Sequence, residues 1–175
     1  GKEMPKIRPV RRKHVTGAAV AGAKDKRTVE ENVSETKALR QNTFLQKLKK
    51  GESVIAVELD PPFDAQMDKL VNGARLLADT PADVITIADS PLARSRADAL
   101  LTAVKIQQET GIPVMPHLAC RDRNRIAIRS GLLGAYVNDV RNVLVVTGDP
   151  VGRDERAFTK SVFDFNSIKL MEFLN

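Results

Sequence analysis

The stretch Asn-Val-Leu-Val-Val-Thr-Gly-Asp-Pro at residues 142–150 joins a run of β-branched and aliphatic side chains to a turn sequence. This pattern predicts a short strand over residues 142–147 that leads into a turn at Gly148 and Asp149. Three similar runs precede it, at residues 54–59, 84–88 and 112–115, and the four runs start 30, 28 and 30 residues apart. Because the runs are almost continuously apolar, they predict strands buried on both faces, as in a parallel sheet.

Helical patterns lie between the four runs. Apolar residues recur at helical spacing over residues 66–78, 97–109 and 123–136, and a fourth helix is predicted to begin near Ser167. A further helix is predicted in front of the first strand, over residues 38–50, with Gly51 as its stop. Strands that alternate with helices form parallel, right-handed βαβ units.

The predicted fold class is therefore α/β. Four units of about 30 residues match half of a (β/α)8 TIM barrel, which typically needs about 250 residues. The chain reaches Asn175 inside its fourth unit. Two architectures agree with this pattern: the first four βα units of such a barrel, or a small open parallel sheet that is complete in itself. Periodicity alone does not choose between them.

Positive charge is concentrated at the start of the chain. The net charge is +6, but residues 1–50 carry 14 Lys and Arg against 5 Asp and Glu, while residues 51–175 carry 14 against 17. Residues 1–40 are predicted to be a basic linker or arm, followed by one α/β domain over residues 41–175. The arm lacks the interleaved aromatics and the binding module of a specific nucleic-acid binder, so a solvated linker is favoured over that alternative.

Several classes of protein are disfavoured by what the sequence lacks. Its single cysteine, Cys120, cannot form an intramolecular disulfide, and its two histidines and one cysteine have no metal-ligand spacing. No apolar run approaches the ~20 residues of a membrane helix, and no secretory signal opens the chain. We expect a cytoplasmic protein with no metal site and no membrane partner.

Polar side chains stand where each predicted strand ends. They are Glu58, Asp89, His117 and Asp149, in chain order. Turns favour such residues in any protein, and each one alone is a weak signal. However, the carboxyl ends of parallel strands meet at one edge of a sheet, where α/β proteins place their active sites. We therefore expect the four side chains to line one pocket.

Two of these carboxylates carry specific expectations. Glu58 lies in an apolar run, where burial would favour its protonated form and suit it to act as a general acid. The alternative is a structural glutamate that is paired with an arginine such as Arg121. Asp149 follows Gly148, which permits a close approach of the backbone to a ligand. His117 and Cys120 taken alone are more typical of structural residues.

At these strand ends the sequence resembles the methylenetetrahydrofolate reductase family. Four segments carry the resemblance, in order and over about residues 44–175: Ala-Val-Glu-Leu-Asp-Pro-Pro at 56–62, Ile-Thr-Ile-Ala-Asp-Ser-Pro at 85–91, Pro-His-Leu-Ala-Cys at 116–120, and residues 142–150. The runs at 88–94 and 117–124 are similar to a branch in which the reductase follows a homocysteine S-methyltransferase domain in one bifunctional protein. Residues 1–40 would then correspond to the inter-domain linker.

The resemblance implies a (β/α)8 barrel that binds FAD at its carboxyl face. NAD(P)H reduces the flavin, which reduces 5,10-methylenetetrahydrofolate to 5-methyltetrahydrofolate in one-carbon and methionine metabolism. It implies that Glu58 is the general acid and that Asp149 lies near flavin and folate. Asp89 replaces a residue of the hydroxyl and aromatic pair of better-known members and is a candidate substrate contact. The implied FAD contacts are His117, Asp149 and the backbone of Val146, Thr147 and Gly148.

The family takes further contacts from strands five to eight. The resemblance therefore implies that this chain alone binds FAD weakly and does not turn over, unless the rest of the barrel or a second copy completes the site. A homo-oligomer is expected. The alternative function is non-catalytic: an α/β module, or a half-barrel that assembles with a partner.

Overall fold

A computed structural model describes residues 42–174, and the predicted linker over residues 1–40 lies outside them. Strands and helices alternate through the described residues, with one 3-10 turn at Pro91–Ala93 after the second strand. The strands are β1 (Ala56–Leu59), β2 (Val84–Ile87), β3 (Val114–Ala119) and β4 (Leu144–Val146). The helices are α1 (Thr43–Lys49), α2 (Asp68–Ala78), α3 (Ala99–Thr110), α4 (Arg125–Val137) and α5 (Ser167–Leu174).

The four strands form one parallel sheet in the order β1-β2-β3-β4. The register pairs Glu58 with Thr86, Thr86 with Met115, and His117 with Leu144. The predicted parallel βαβ arrangement is confirmed. A doubly wound open sheet reverses its strand order at a switch point, whereas here each strand follows its predecessor in one direction. Consecutive barrel strands follow each other in the same way, so the sheet is consistent with the first βα units of a TIM barrel.

The two faces of the sheet have different environments. Successive side chains of a strand point to opposite faces. On the outer face Ile85, Ile87, Val114 and Leu118 are completely buried and belong to one core with the helices. On the opposite face, which we call the inner face, Ala56, Glu58 and Leu144 are exposed. The helices therefore lie on the outer side of the sheet, and the inner face is exposed at the edge strands β1 and β4 but buried at the central strand β2.

The predicted burial of every strand on both faces is wrong for β1 and β4. All four residues of β2 are buried, but β1 alternates between exposed and half-buried residues, and β4 is exposed or half-buried throughout. The reason is position: β1 and β4 are the edges of the described sheet, and each lacks a neighbour on one side.

Helix boundaries follow local capping chemistry. Asp98 and Asn124 accept hydrogen bonds from the backbone N–H groups of Leu101 and Ala127, which caps the starts of α3 and α4. The predicted stop at Gly51 is confirmed, since this glycine has a φ of 70° just beyond α1. Residues 38–41 of the helix predicted there lie outside the described part of the chain.

Helix α1 is fastened to the amino end of the sheet. Lys47 Nζ lies 2.5 Å from Asp83 Oδ1, and the backbone N–H of Ile55 donates to the other oxygen of the same carboxylate at 2.9 Å. Asn42 donates to the side chain of Asn142 at 2.6 Å. These contacts all lie at the end of the strands remote from Glu58 and Asp149. Within residues 42–174, no helix is long and apolar enough to cross a membrane.

Candidate active site

The carboxyl edge of the sheet brings the predicted site residues together. Glu58 is the next-to-last residue of β1, Asp89 and Asp149 follow β2 and β4, and His117 lies within β3. Because of the strand register, Glu58, Thr86 and His117 all point to the inner face. The four side chains thus lie at or near one edge of the sheet, and that they line one pocket stays a prediction.

Glu58 on β1 and His117 on β3 contact each other across the intervening strand β2. Glu58 Oε2 lies 3.6 Å from His117 Nε2, and the two side chains are 59% and 14% exposed. The predicted burial of Glu58 is therefore wrong: an edge strand with an uncovered inner face leaves the carboxylate open to solvent. The alternative partner, Arg121, is also wrong, because that guanidinium is engaged elsewhere.

Asp149 lies on the surface of the carboxyl edge and reaches across to the segment that follows β2. Its Oδ2 accepts a hydrogen bond from the backbone N–H of Leu92 at 2.6 Å. Leu92 has a φ of 56°, and Ser90 and Ala93 beside it also have positive φ values. Such backbone conformations are costly for residues other than glycine and are found where the surroundings enforce them. The carboxylate of Asp149 thus caps a strained turn.

Asp89 is turned toward the protein. Its side chain is only 4% exposed. Its Oδ2 accepts hydrogen bonds from the backbone N–H of Ala119 at 2.9 Å and from Arg123 Nη1 at 2.5 Å. Burial alone would lower the pKa of the Arg123 guanidinium, but the charges of Asp89 and Asp98 outweigh it and raise this pKa. The structure thus gives Asp89 two internal partners, and its role as a substrate contact remains a prediction.

The backbone after β4 is packed against β3. Gly148 has a φ of 95°, and a Cβ at this position would stand 3.1 Å from Arg121 Cβ and 3.2 Å from Ala119 Cβ. The close approach predicted for this glycine is therefore made to protein side chains. The carbonyl of Val146 accepts from the N–H of Cys120. Thr147 Oγ1 accepts from the N–H of Ser167, the first residue of α5.

The sequence suggested Arg121 only as an alternative partner of Glu58, and sequence reasoning missed its place among the strand ends. Its side chain is 2% exposed, and it holds the carboxylate of Asp122 with Nε at 2.8 Å and Nη2 at 2.7 Å. Its hydrogen bond with Asp122 and the nearby charges of Asp89 and Asp149 raise its pKa in spite of burial. Two signals were available in the sequence: an arginine directly after the apolar end of β3, and a glycine, Gly148, at a position that permits a close neighbour.

A cavity of about 380 Å³ lies beside these residues. It separates the segment after β2 from the loop after β4, and Ser90, Arg121, Asp122 and Val151 contribute to its wall. Cys120 is fully buried and burial raises its thiol pKa, as expected of an inert cysteine. In the part of the chain that the structure describes, no group of three or more His, Cys, Asp or Glu side chains is placed to hold a metal ion.

Comparison with models of known protein families identifies the family of this chain. The family model described as methylenetetrahydrofolate reductase matches residues 43–175, more than half of the chain. The chain belongs to the methylenetetrahydrofolate reductase family. A search of curated proteins finds no match.

Membership decides between the two architectures that periodicity left open. Methylenetetrahydrofolate reductases are TIM-barrel proteins, so the four βα units are the first units of a barrel and the inner face is the barrel interior. The family match supports an oxidoreductase of the methylenetetrahydrofolate reductase type. It also implies a folate substrate.

Proposed function

We propose that this domain reduces 5,10-methylenetetrahydrofolate to 5-methyltetrahydrofolate with FAD as its cofactor and NAD(P)H as the electron donor. The observation that carries the proposal is the family match over residues 43–175, in a chain that places Glu58, His117 and Asp149 at one edge of the sheet. The family generally uses FAD.

The carboxyl end of the inner face suits a flavin. A ring system that is apolar on its faces and polar on its edges needs an apolar surface bordered by hydrogen-bonding groups. Val146 lies on the inner face at the carboxyl end of β4 and provides apolar surface one strand away from the half-buried His117. We propose that His117 and Asp149, with the backbone of Val146, Thr147 and Gly148, hold the cofactor, which supplies the hydride when it is bound.

Glu58 is proposed as the general acid. Its carboxyl group projects from the inner face near the carboxyl edge and is 59% exposed in the described residues, so a substrate bound at that edge can reach it. It would donate a proton to the folate nitrogen as the five-membered ring opens. We propose that His117, whose Nε2 lies 3.6 Å from the carboxyl group, helps to hold it toward the substrate. Replacing Glu58 with Gln should then slow folate reduction on the order of 10²- to 10⁴-fold.

Asp149 is proposed to stabilise cationic character in the substrate and to tune the flavin electrostatically. Its carboxylate is exposed at the edge where the inner face ends, and the N–H of Leu92 fixes it at 2.6 Å. We also propose that Asp89 contacts the substrate. Its internal hydrogen bonds would then have to persist or be replaced when substrate binds.

The site requires further protein to be complete. The open edges at β1 and β4 and the uncovered inner face support the proposal that four more βα units close the barrel, supplied by a longer chain or by a second copy. The described residues alone are proposed to bind FAD weakly and not to turn over. We further propose that the domain works behind a homocysteine S-methyltransferase domain, joined to it by residues 1–40.

Two measurements test the proposal. The full-length protein, incubated with FAD and freed of excess by gel filtration, should retain the flavin absorbance band and reduce methylenetetrahydrofolate with NADH or NADPH. A full-length protein that stays colourless and inactive would sink the proposal. The chain of residues 1–175 should retain little flavin under the same conditions.

The role of Asp149 needs a matched pair of variants. Asp149→Asn should lower folate-dependent reoxidation of the reduced flavin by roughly 10²-fold while FAD retention changes little. Asp154→Asn makes the same charge change in the loop after β4 and should leave both quantities unchanged. An equal rate in Asp149→Asn and wild type would remove the role assigned to Asp149.

A further inference from the structure

Arg121 is the largest side chain in the described residues that is fully buried. It directly follows β3, and only 2% of its surface is exposed. A buried guanidinium must be paired and hydrogen-bonded to be tolerated. The bidentate contact with Asp122 already neutralises its charge. Charge pairing therefore does not explain the other hydrogen bonds that the guanidinium donates.

These remaining hydrogen bonds go to two other strand ends. Arg121 Nη2 donates to the carbonyl of Ser90 after β2, and Nη1 donates to the carbonyl of Asp149 after β4, both at 3.2 Å. The guanidinium is planar and rigid, so three acceptors bound to it are fixed relative to one another. One side chain thus ties together the carboxyl ends of β2, β3 and β4.

The turn after β2 is held at two points. The carbonyl of Ser90 is bound by Arg121, and the N–H of Leu92 is bound by the carboxylate of Asp149. Between and beside these points the backbone has positive φ at Ser90, Leu92 and Ala93, a conformation that residues other than glycine adopt only when it is enforced. Gly148 lies against Arg121 Cβ, which fixes the start of the Asp149 segment as well.

We propose that Arg121 is a positioning residue for Asp149. It holds the Asp149 backbone and the Ser90–Ala93 turn in one frame, so that the carboxylate meets the N–H of Leu92 and keeps one orientation at the carboxyl edge. This inference rests on the proposed function only for the chemical role of Asp149; the positioning itself is a statement about this chain.

The direct readout is the Leu92 amide, whose hydrogen exchange reports whether the carboxylate is in place. In the chain of residues 1–175, Arg121→Gln should speed exchange of the Leu92 amide about tenfold or more, while the core amides of β2 keep their protection. Asp149→Ala removes the acceptor and should have the same effect. If Arg121 acts through Asp149, the double variant should exchange at Leu92 no faster than Asp149→Ala alone.

Two further variants separate positioning from general destabilisation. Arg141→Gln removes a half-buried arginine that is paired with Asp139 at the opposite end of the sheet, and it should leave Leu92 exchange unchanged. Arg121→Lys keeps the charge but loses the planar donor set, so its effect should lie between wild type and Arg121→Gln. If Arg121→Gln does not fold, Arg121→Lys supplies the readout.

Two outcomes would overturn the inference: Leu92 exchange at the wild-type rate in the folded Arg121 variants, or an Arg121 effect that is undiminished in the Asp149→Ala background. The same substitutions in the full-length enzyme should slow folate-dependent flavin reoxidation in Arg121→Gln and not in Arg141→Gln. If the full-length protein has no flavin activity while the Leu92 results hold, the proposed function fails and the positioning role stands.

Discussion

Gly148 shows at the scale of one residue how a turn becomes part of a site. Its φ of 95° disfavours any other residue, and the space for a Cβ is filled by Arg121 and Ala119 at 3.1 and 3.2 Å. The positive φ is a requirement of the local backbone, and the lack of room for a Cβ is a requirement of tertiary packing. Both must be satisfied for Asp149 to follow β4 where it does.

Replacing Gly148 with Ala should therefore destabilise the domain. A positive φ costs an L-residue roughly 1–2 kcal/mol, and the crowded Cβ adds to that cost. Thermal or urea unfolding measures the difference. Gly134→Ala is the control, because its Cβ meets nothing within 4 Å inside α4 and should stabilise the domain by up to about 1 kcal/mol. Equal stability of the two variants would contradict this account.

Arg121 marks the limit of sequence reasoning at this scale. Glu58, His117 and Asp149 could be picked out because each ends or interrupts an apolar run, and their common edge follows from parallel strands. Arg121 follows an apolar run in the same way, but only the fold shows that its guanidinium turns inward to the carbonyls of Ser90 and Asp149. The exposure of Glu58 likewise depends on which strands are edges.

The elements follow the sequence closely because their signals are local. Predicted and observed strands overlap in all four cases, and helices occur in each predicted interval, since apolar spacing and the caps at Asp98 and Asn124 act within a few residues. The largest difference is β3, predicted over residues 112–115 and observed over Val114–Ala119. A strand pairs only as far as its neighbour extends, and that length is a tertiary property.

The buried and exposed sides of helix α4 should contribute unequally to the free energy of unfolding. Ile128 is completely buried in the core, whereas Ile126 is 79% exposed. Ile128→Ala should lower the free energy of unfolding by about 2–5 kcal/mol through lost burial and the resulting cavity. Ile126→Ala, the same change two residues away, should stay within about 0.5 kcal/mol of wild type. Urea unfolding of both variants measures these changes. Similar losses of unfolding free energy in the two variants would contradict the observed orientation of α4.

The fastening of α1 predicts a pH dependence. Hydrogen bonds from Lys47 and from the N–H of Ile55 hold the pKa of Asp83 below its ordinary value of 3.8. Because the folded-state pKa is the lower one, this stabilisation is present above pH 3.8 and is lost as the pH falls through the folded-state pKa.

Asp83→Asn should therefore unfold at lower urea than wild type at neutral pH, and the gap should narrow as the pH falls below 3.8. Urea midpoints over a pH series give this gap directly. Asp79→Asn, at the exposed end of α2, serves as the control and should change the midpoint little at any pH. A gap for Asp83→Asn that is constant with pH would show that the carboxylate does not act through its charge.

At the scale of the whole molecule, the main feature is a sheet covered on one side. Leu144 is 40% exposed on the inner face, and β1 and β4 have free edges within the described residues. Apolar faces and unpaired edges favour association. The chain of residues 1–175 should therefore associate at rising concentration in sedimentation velocity.

Leu144→Glu should shift that association toward the monomer, because it places a charge on the inner face. Leu76→Glu introduces the same charge on α2, where the leucine is 72% exposed, and should leave association unchanged. A wild-type chain that remains a compact monomer at all concentrations, or equal effects of the two variants, would contradict the role of the inner face.

By itself, the sequence determined the alternation of strands and helices, the parallel sheet, and the edge that collects Glu58, His117 and Asp149. Periodicity, capping and turn chemistry act over a few residues, and the direction of parallel strands turns that local order into a common edge. Only the tertiary structure decided which strands are edges, how far β3 extends, that Asp89 faces inward, and that Arg121 joins three strand ends. Those features depend on contacts between residues about 30 positions apart, such as Arg121 with Ser90 and Asp149, and no local pattern encodes them.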